Sequence, residues 1–371
     1  MRTAVAALAR RPGVTEVVDM EVPPPGEAEG VLEVEACGVC GSDWAVYGGK
    51  TGGRLFPLIL GHEVVGRLGT LGAGAAEEWG VATGDRVVVQ EFIPCFRCSV
   101  CRRGSYALCA STDFVRNPTA LRYGFTPVSV APSIWGGYSE MMHLHARSLV
   151  HRIDESVPAA EATLFVPISN GVRWVTKDGA VGLGQRVLVL GPGQHGLGCV
   201  VAAHHAGAGA VVAVGTAQDE ARLEVACALG ADHGVVADTG AFVQSIQSAT
   251  GIDDFDLVLD VTGDPSAVGY AFELAAPGGR VVLAGFKEQA VTGPPSDTIV
   301  RKELTVIGVR GRDPDSVSVA LDLIGSRRFP FELMCTHEYD LNGVDEALRV
   351  VGRQLEPQAI HVTVRPEGIG K

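Results

Sequence analysis

Four cysteines in one short stretch constrain this chain more than any other feature. Cys95, Cys98, Cys101 and Cys109 follow one another at spacings of two, two and seven intervening residues. Thiolates at such spacing can close a tetrahedral cage, and Zn²⁺ suits it because a d¹⁰ ion accepts tetrahedral sulfur without electronic penalty. The chain fills all four positions, so no coordination site is left for water or substrate. The motif therefore reads as a structural zinc site. Metal-free core cysteines or a disulfide pair fit the spacing less well.

The rest of the composition narrows the setting. A length of 371 residues is enough for two domains, and 46% apolar residues allow each a core. A net charge of −13 argues against nucleic acid or an anionic membrane as partner. The apolar run Thr3–Leu8 is too short for a membrane span and has no cleavage-like end, so it reads as a strand. Nine cysteines without an export signal point to a reducing, cytoplasmic setting.

Hydrophobic periodicity changes twice along the chain. Residues 31–35 alternate as a half-buried strand does, and residues 84–89 read as a turn entering a strand. Residues 136–140 give another turn-and-strand signal. Farther on, 187–190, 211–214, 257–259 and 281–283 are short, continuously apolar strands separated by helical patterns such as 219–229. That alternation implies a parallel sheet covered on both faces. The expected organisation is a β-rich domain over 1–160, completed by 301–371, and split by an inserted α/β domain over 161–300.

Within the α/β part, Gly191-Pro-Gly193-Gln-His-Gly196 follows a predicted strand and opens a predicted helix. In that context the glycines are expected to make the turn, let a pyrophosphate approach, and let helix and strand pack closely. Leu197 is expected to contribute with them. The next strand ends in Gly215-Thr216 with no acid at its tip. A small residue and a hydroxyl leave room for a 2′-phosphate, and Arg222 offers a neutralising cation. The expectation is a nicotinamide dinucleotide, NADP slightly favoured over NAD.

The ordered set Cys37-Gly-Val-Cys40-Gly-Ser42-Asp43, Gly61-His62-Glu63, Gly84-Asp-Arg-Val87, the four-cysteine loop, Gly136-Gly-Tyr-Ser-Glu140 and the dinucleotide turn resembles the zinc-containing medium-chain alcohol and polyol dehydrogenases. The resemblance covers nearly the whole chain. It implies an α/β fold: a GroES-like β-rich catalytic domain with an inserted Rossmann doubly wound parallel sheet. It also implies an active site between the two, a small-molecule substrate, and homodimers or homotetramers. It further implies a second, catalytic zinc, with Cys40 and His62 as ligands. Ser42 then carries the substrate's proton, Asp43 orients the histidine, and Glu63 lies close enough to coordinate. Asn170 falls where relatives line the nicotinamide pocket.

Two positions depart from that pattern. The third zinc ligand of the family falls on Val166, which cannot bind metal. The histidine that ends the proton relay in many relatives falls on Ala45. Three readings stay open. Zinc can be held by a rearranged set of Cys40, His62 and Glu63 in an alcohol–carbonyl oxidoreductase. The chemistry can be zinc-independent reduction of an activated C=C or C=N bond, with Ser42 or Tyr47 donating the proton. Or the chain can be a non-catalytic cofactor-binding or structural protein. The aromatic residues following the ligand motif, Trp44, Tyr47 and Phe56, are candidates for lining a substrate pocket.

Overall fold

The computed structural model describes residues 2–50, 53–237, 240–291 and 296–366. The chain divides into two compact units. One runs to Val166 and resumes at Cys335; the other is Pro167–Met334.

In the first unit the strand Gly30–Val39 is the organising element. It pairs antiparallel with Glu63–Leu71 on one edge, with His361–Val364 on the other, and with Met141–Leu144 along its first half. Arg86–Val89 and Val150–Arg152 extend the sheet beyond Glu63–Leu71. A second sheet joins Val14–Val22, Arg2–Arg11 and Leu58–Ile59. The alternation expected at 31–35 appears as Val31, Leu32 and Val34 at 4% exposure or less while Glu33 faces solvent. Register then positions chemistry: Gly38 lies opposite Glu63. Cys40, just past the end of one strand, therefore comes near His62, just before the start of its antiparallel neighbour.

The second unit is a six-stranded parallel sheet in the order His233–Val236, Ala210–Gly215, Arg186–Leu190, Phe255–Asp260, Ala275–Leu283, Thr305–Gly308. The central strand is sealed on both faces: Val187 to Leu190 are at most 1% exposed. Burying each such side chain contributes about 1.5–3 kcal/mol, which is why the run is continuously apolar.

The expected boundaries shift. The inserted unit begins at residue 167, not 161, and ends at 334, not 300. The last sheet strand, Thr305–Gly308, is an edge strand with Thr305 and Val306 exposed. It lacks the apolar signature that marks its neighbours, and the helix Pro314–Gly325 follows it within the same unit. Among the cysteines outside the candidate clusters, Cys199 is buried, Cys335 is half-buried and Cys227 is exposed. Among the described residues, no helix is long and apolar enough to cross a membrane.

Candidate metal and cofactor sites

The four cysteines of the loop converge. Their sulfurs all lie within 4.8 Å of one another, with Cys95–Cys101 and Cys98–Cys109 each at 3.9 Å. Sulfurs held about 2.3 Å from a central zinc in a tetrahedron stand about 3.8 Å apart, so the donor set fits that ion. The backbone supports the thiolates. Amides of Arg97 and Cys98 pull Cys95 down to about 6, and the Cys95 amide donates to Cys109 Sγ at 3.4 Å. Burial pushes Cys101 up to about 12, its neighbouring thiols adding to the shift. Arg97, Arg102 and Arg103 lie within the loop, and the Arg102 guanidinium donates to the Arg97 carbonyl at 3.0 Å.

A second cluster is buried. One ligand atom from each of Cys40, His62 and Glu63 lies within 4.8 Å of the others, at exposures of 7%, 3% and 0%. Cys40 caps the helix Gly41–Tyr47, and Asp43 in its first turn turns back toward the cluster. Asp43 Oδ2 accepts from the Cys40 amide at 2.9 Å and from the Tyr138 hydroxyl at 3.1 Å, while Oδ1 faces His62 Nδ1 at 3.1 Å. An ionised carboxylate only accepts, so His62 donates through Nδ1, and its neutral form keeps Nε2 for a metal. Burial disfavours charge on both partners. Asp43 nevertheless raises His62 well above the usual imidazole range, and His62 holds the Cys40 thiol below the usual thiol range, with the Ser42 hydroxyl adding to the effect. The phenol of Tyr138 is raised by burial and then by Asp43, so it remains a donor. Mixed S, N and O donors with an oriented imidazole fit a divalent zinc ion.

Several expected roles move. Ser42 sits at the cluster, but Tyr47 does not serve it: its hydroxyl donates to Asp345 at 2.7 Å. Trp44 packs against Gly352, and Phe56 packs against the core. Val166 is buried at 2% exposure and Ala45 is half-buried. Neither side chain carries a donor. Tyr138, in the segment Gly136–Glu140, is a partner of Asp43 that the sequence does not reveal, because nothing in its spacing points toward residue 43.

In the second unit, Gly191 ends the strand Arg186–Leu190 at φ 97°, and a Cβ there would come within 2.8 Å of Thr262 Cγ2. Gly193 caps the helix Gln194–His205 with open space where a Cβ would stand, which leaves room for a ligand. Gly196 packs so close to Gly191 that a Cβ would collide with its carbonyl oxygen. The turn at Gly191 and the close approach at Gly196 are the backbone geometry that a dinucleotide turn needs. Leu197 donates its amide to Gly193 O at 2.9 Å and buries its side chain fully, so it packs the helix against the sheet. Asn170 is 6% exposed, and its Oδ1 meets no hydrogen-bond donor among the described residues.

The strand tip is also not as expected. Asp219 folds back so that its Oδ2 accepts from the Thr216 amide at 3.0 Å and hydroxyl at 2.9 Å, while Oδ1 pairs with Arg222 at 2.9 Å. Both charged residues are buried at 4%. Arg222 is thus committed inside the protein, and a carboxylate does stand beside Gly215.

Comparison with known proteins agrees with this anatomy. Residues 26–155 match the alcohol dehydrogenase GroES-like domain, and residues 196–326 match the zinc-binding dehydrogenase family. A probable alcohol dehydrogenase of Mycobacterium tuberculosis is 38% identical over 92% of both chains. The erythritol/L-threitol dehydrogenase of Mycolicibacterium smegmatis is 33% identical over 88% of both. The fold matches the crystal structure of an alcohol dehydrogenase from Thermotoga maritima with a TM-score of 0.86, at 23% identity over 99% of this chain and 100% of that one. The chain belongs to the zinc-type medium-chain dehydrogenase/reductase family, as a zinc-binding, NAD(P)-dependent oxidoreductase of the alcohol–carbonyl class.

Proposed function

We propose that Cys40, His62 and Glu63 hold a catalytic zinc in place of the family's usual set, and that Cys95, Cys98, Cys101 and Cys109 hold a structural one. The observation that carries this reading is the buried convergence of one S, one N and one O donor with Asp43 on the far side of the imidazole. Three protein ligands suffice for a catalytic zinc. A zinc held there supplies a Lewis acid for the substrate oxygen. The nicotinamide supplies or accepts the hydride.

The chain's own residues do the rest. Cys40 contributes a thiolate whose ionisation His62 favours. Asp43 fixes the histidine, and Tyr138 fixes Asp43. Ser42 takes the hydroxyl proton of an alcohol or returns it to the product. With Ala45 at the usual relay position, that proton passes to solvent without a histidine intermediary. Gly191, Gly193 and Gly196 with the helix amides cradle the dinucleotide phosphates. The open Oδ1 of Asn170 supports a contact with the cofactor.

Space at Gly215 and Thr216 keeps a slight lean to NADP. The internal Asp219–Arg222 pair holds it small. It leaves neither a free cation for a 2′-phosphate nor a free carboxylate for a ribose hydroxyl. The expected ratio of kcat/KM for the two cofactors is within about tenfold, or 1.4 kcal/mol. A small alcohol or polyol is the substrate class, as the names of the relatives suggest. The cage needs reduced thiolates, which supports the cytoplasm as its location. Family resemblance supports a homodimer or homotetramer.

Zinc per chain, measured before and after mild chelation with cofactor bound, tests the reading. Two zincs, one labile, are expected. One chelator-resistant zinc would overturn the catalytic assignment and favour zinc-independent reduction of an activated double bond.

A further inference from the structure

We propose that Gly38, Thr163 and His361 are positioning residues that hold the Glu63 carboxylate in place beside Cys40 and His62. The inference rests on the reading above that this cluster takes zinc. With valine at position 166, the third donor has to come from a long side chain, and a glutamate must be fixed to bind tightly.

Glu63 begins one strand and His361 begins another, and both strands pair with Gly30–Val39 from opposite edges. Two strand spacings separate them, about 9.6 Å. Their side chains nevertheless meet, with His361 Nδ1 at 3.9 Å from Glu63 Oε2. They meet over Gly38. A Cβ at that position would collide with the Glu63 carboxylate and stand 2.7 Å from His361 Cε1. The bare Cα is the gap through which the two strands' side chains reach each other.

Thr163 sets the ring. Its hydroxyl donates to the Ala160 carbonyl at 2.7 Å, which uses its one proton. The 2.7 Å contact between Thr163 Oγ1 and His361 Nε2 therefore has the histidine as donor. That bond fixes the ring's orientation and turns its Nδ1 edge to Glu63. Thr163, His361 and Glu63 are all fully buried. His361 walls the carboxylate on one side, and Gly38 leaves it only the space it occupies.

The test uses the purified zinc-loaded enzyme, with zinc itself as the probe in competition against a chromophoric chelator. His361→Leu and Gly38→Ala should each weaken the labile zinc by about 10–100-fold, as loss of an outer-shell partner does. Thr163→Val, nearly isosteric, should weaken it less. Adding His361→Leu to Glu63→Gln should cost little beyond Glu63→Gln alone, because His361 acts only through the Glu63 carboxylate. Cobalt in the labile site should show an altered visible spectrum in His361→Leu, which loss of general stability alone would not produce. Retention of the cage zinc shows that a variant is folded; if His361→Leu loses it, Thr163→Val decides. Wild type with two zincs and variants within twofold of it, spectra unchanged, would overturn the inference while leaving the zinc reading intact. Wild type with only the resistant zinc would overturn both.

Discussion

The two clusters of side chains that could hold a metal ion are built in opposite ways. The cysteine cage draws four identical donors from fifteen consecutive residues, and three of its supporting contacts come from the same loop. The Cys40–His62–Glu63 cluster draws three different donors from the ends of two strands. Its support comes from residues 43, 138, 163 and 361. The cage is closed and partly exposed; the other is buried and offers three donors. A site that only staples a loop, the role proposed for the four cysteines, can be written locally. A site that must leave one coordination position open, and orient each donor, needs a wall on every side.

Substitutions can break that contrast. Cys98→Ser should have the largest effect: loss of the cage zinc and of about 4 kcal/mol or more of stability, read as a lowered Tm with one zinc fewer per chain. Turnover per folded molecule should stay within about threefold. An unchanged Tm and zinc content would mean that the cage is not a staple. Cys40→Ala should do the reverse. A fall of about a thousandfold in kcat/KM, equivalent to about 4 kcal/mol, is expected with Tm nearly unchanged. A large loss of Tm instead would make Cys40 a structural residue.

Asp43→Asn sharpens the comparison, because an amide can present its NH₂ to His62 Nδ1 and force the wrong tautomer. The labile zinc should bind about 10–100-fold more weakly, while the cage zinc is retained. Equal loss from both clusters would show that the two are coupled through the fold. Val166→Glu should have the smallest effect. It places a carboxylate where the family resemblance puts the third ligand, and should slow loss of the labile zinc to a chelator by about threefold to tenfold, less than the roughly 10–100-fold that outer-shell partners supply. Unchanged retention would show that residue 166 no longer faces the cluster.

Much of this was legible in the sequence. Spacing alone announced the cage, because a loop of that length leaves four sulfurs little choice but to converge. The dinucleotide turn was legible for a similar reason: Gly191 and Gly196 are required by a backbone angle and a close approach within six residues. The continuously apolar strands announced a parallel sheet. The edge strand Thr305–Gly308 escaped notice because half its surface faces solvent and its composition follows.

Other features were decided only when distant segments met. Arg222 reads as a cation available to a phosphate, yet folding places it against Asp219, where pairing is cheaper than burying either charge alone. Tyr47 reads as a proton donor, yet a helix almost three hundred residues later takes its hydroxyl. His361 carried no signal at all, because its partner Glu63 lies two strands away and the gap between them is the missing side chain of Gly38. The sequence by itself determined the fold class, the convergence of the four cysteines and the glycine turn, since each depends on local spacing and periodicity. Only the tertiary structure decided which donors face the buried cluster and which polar groups are already spent, since register across neighbouring strands sets both.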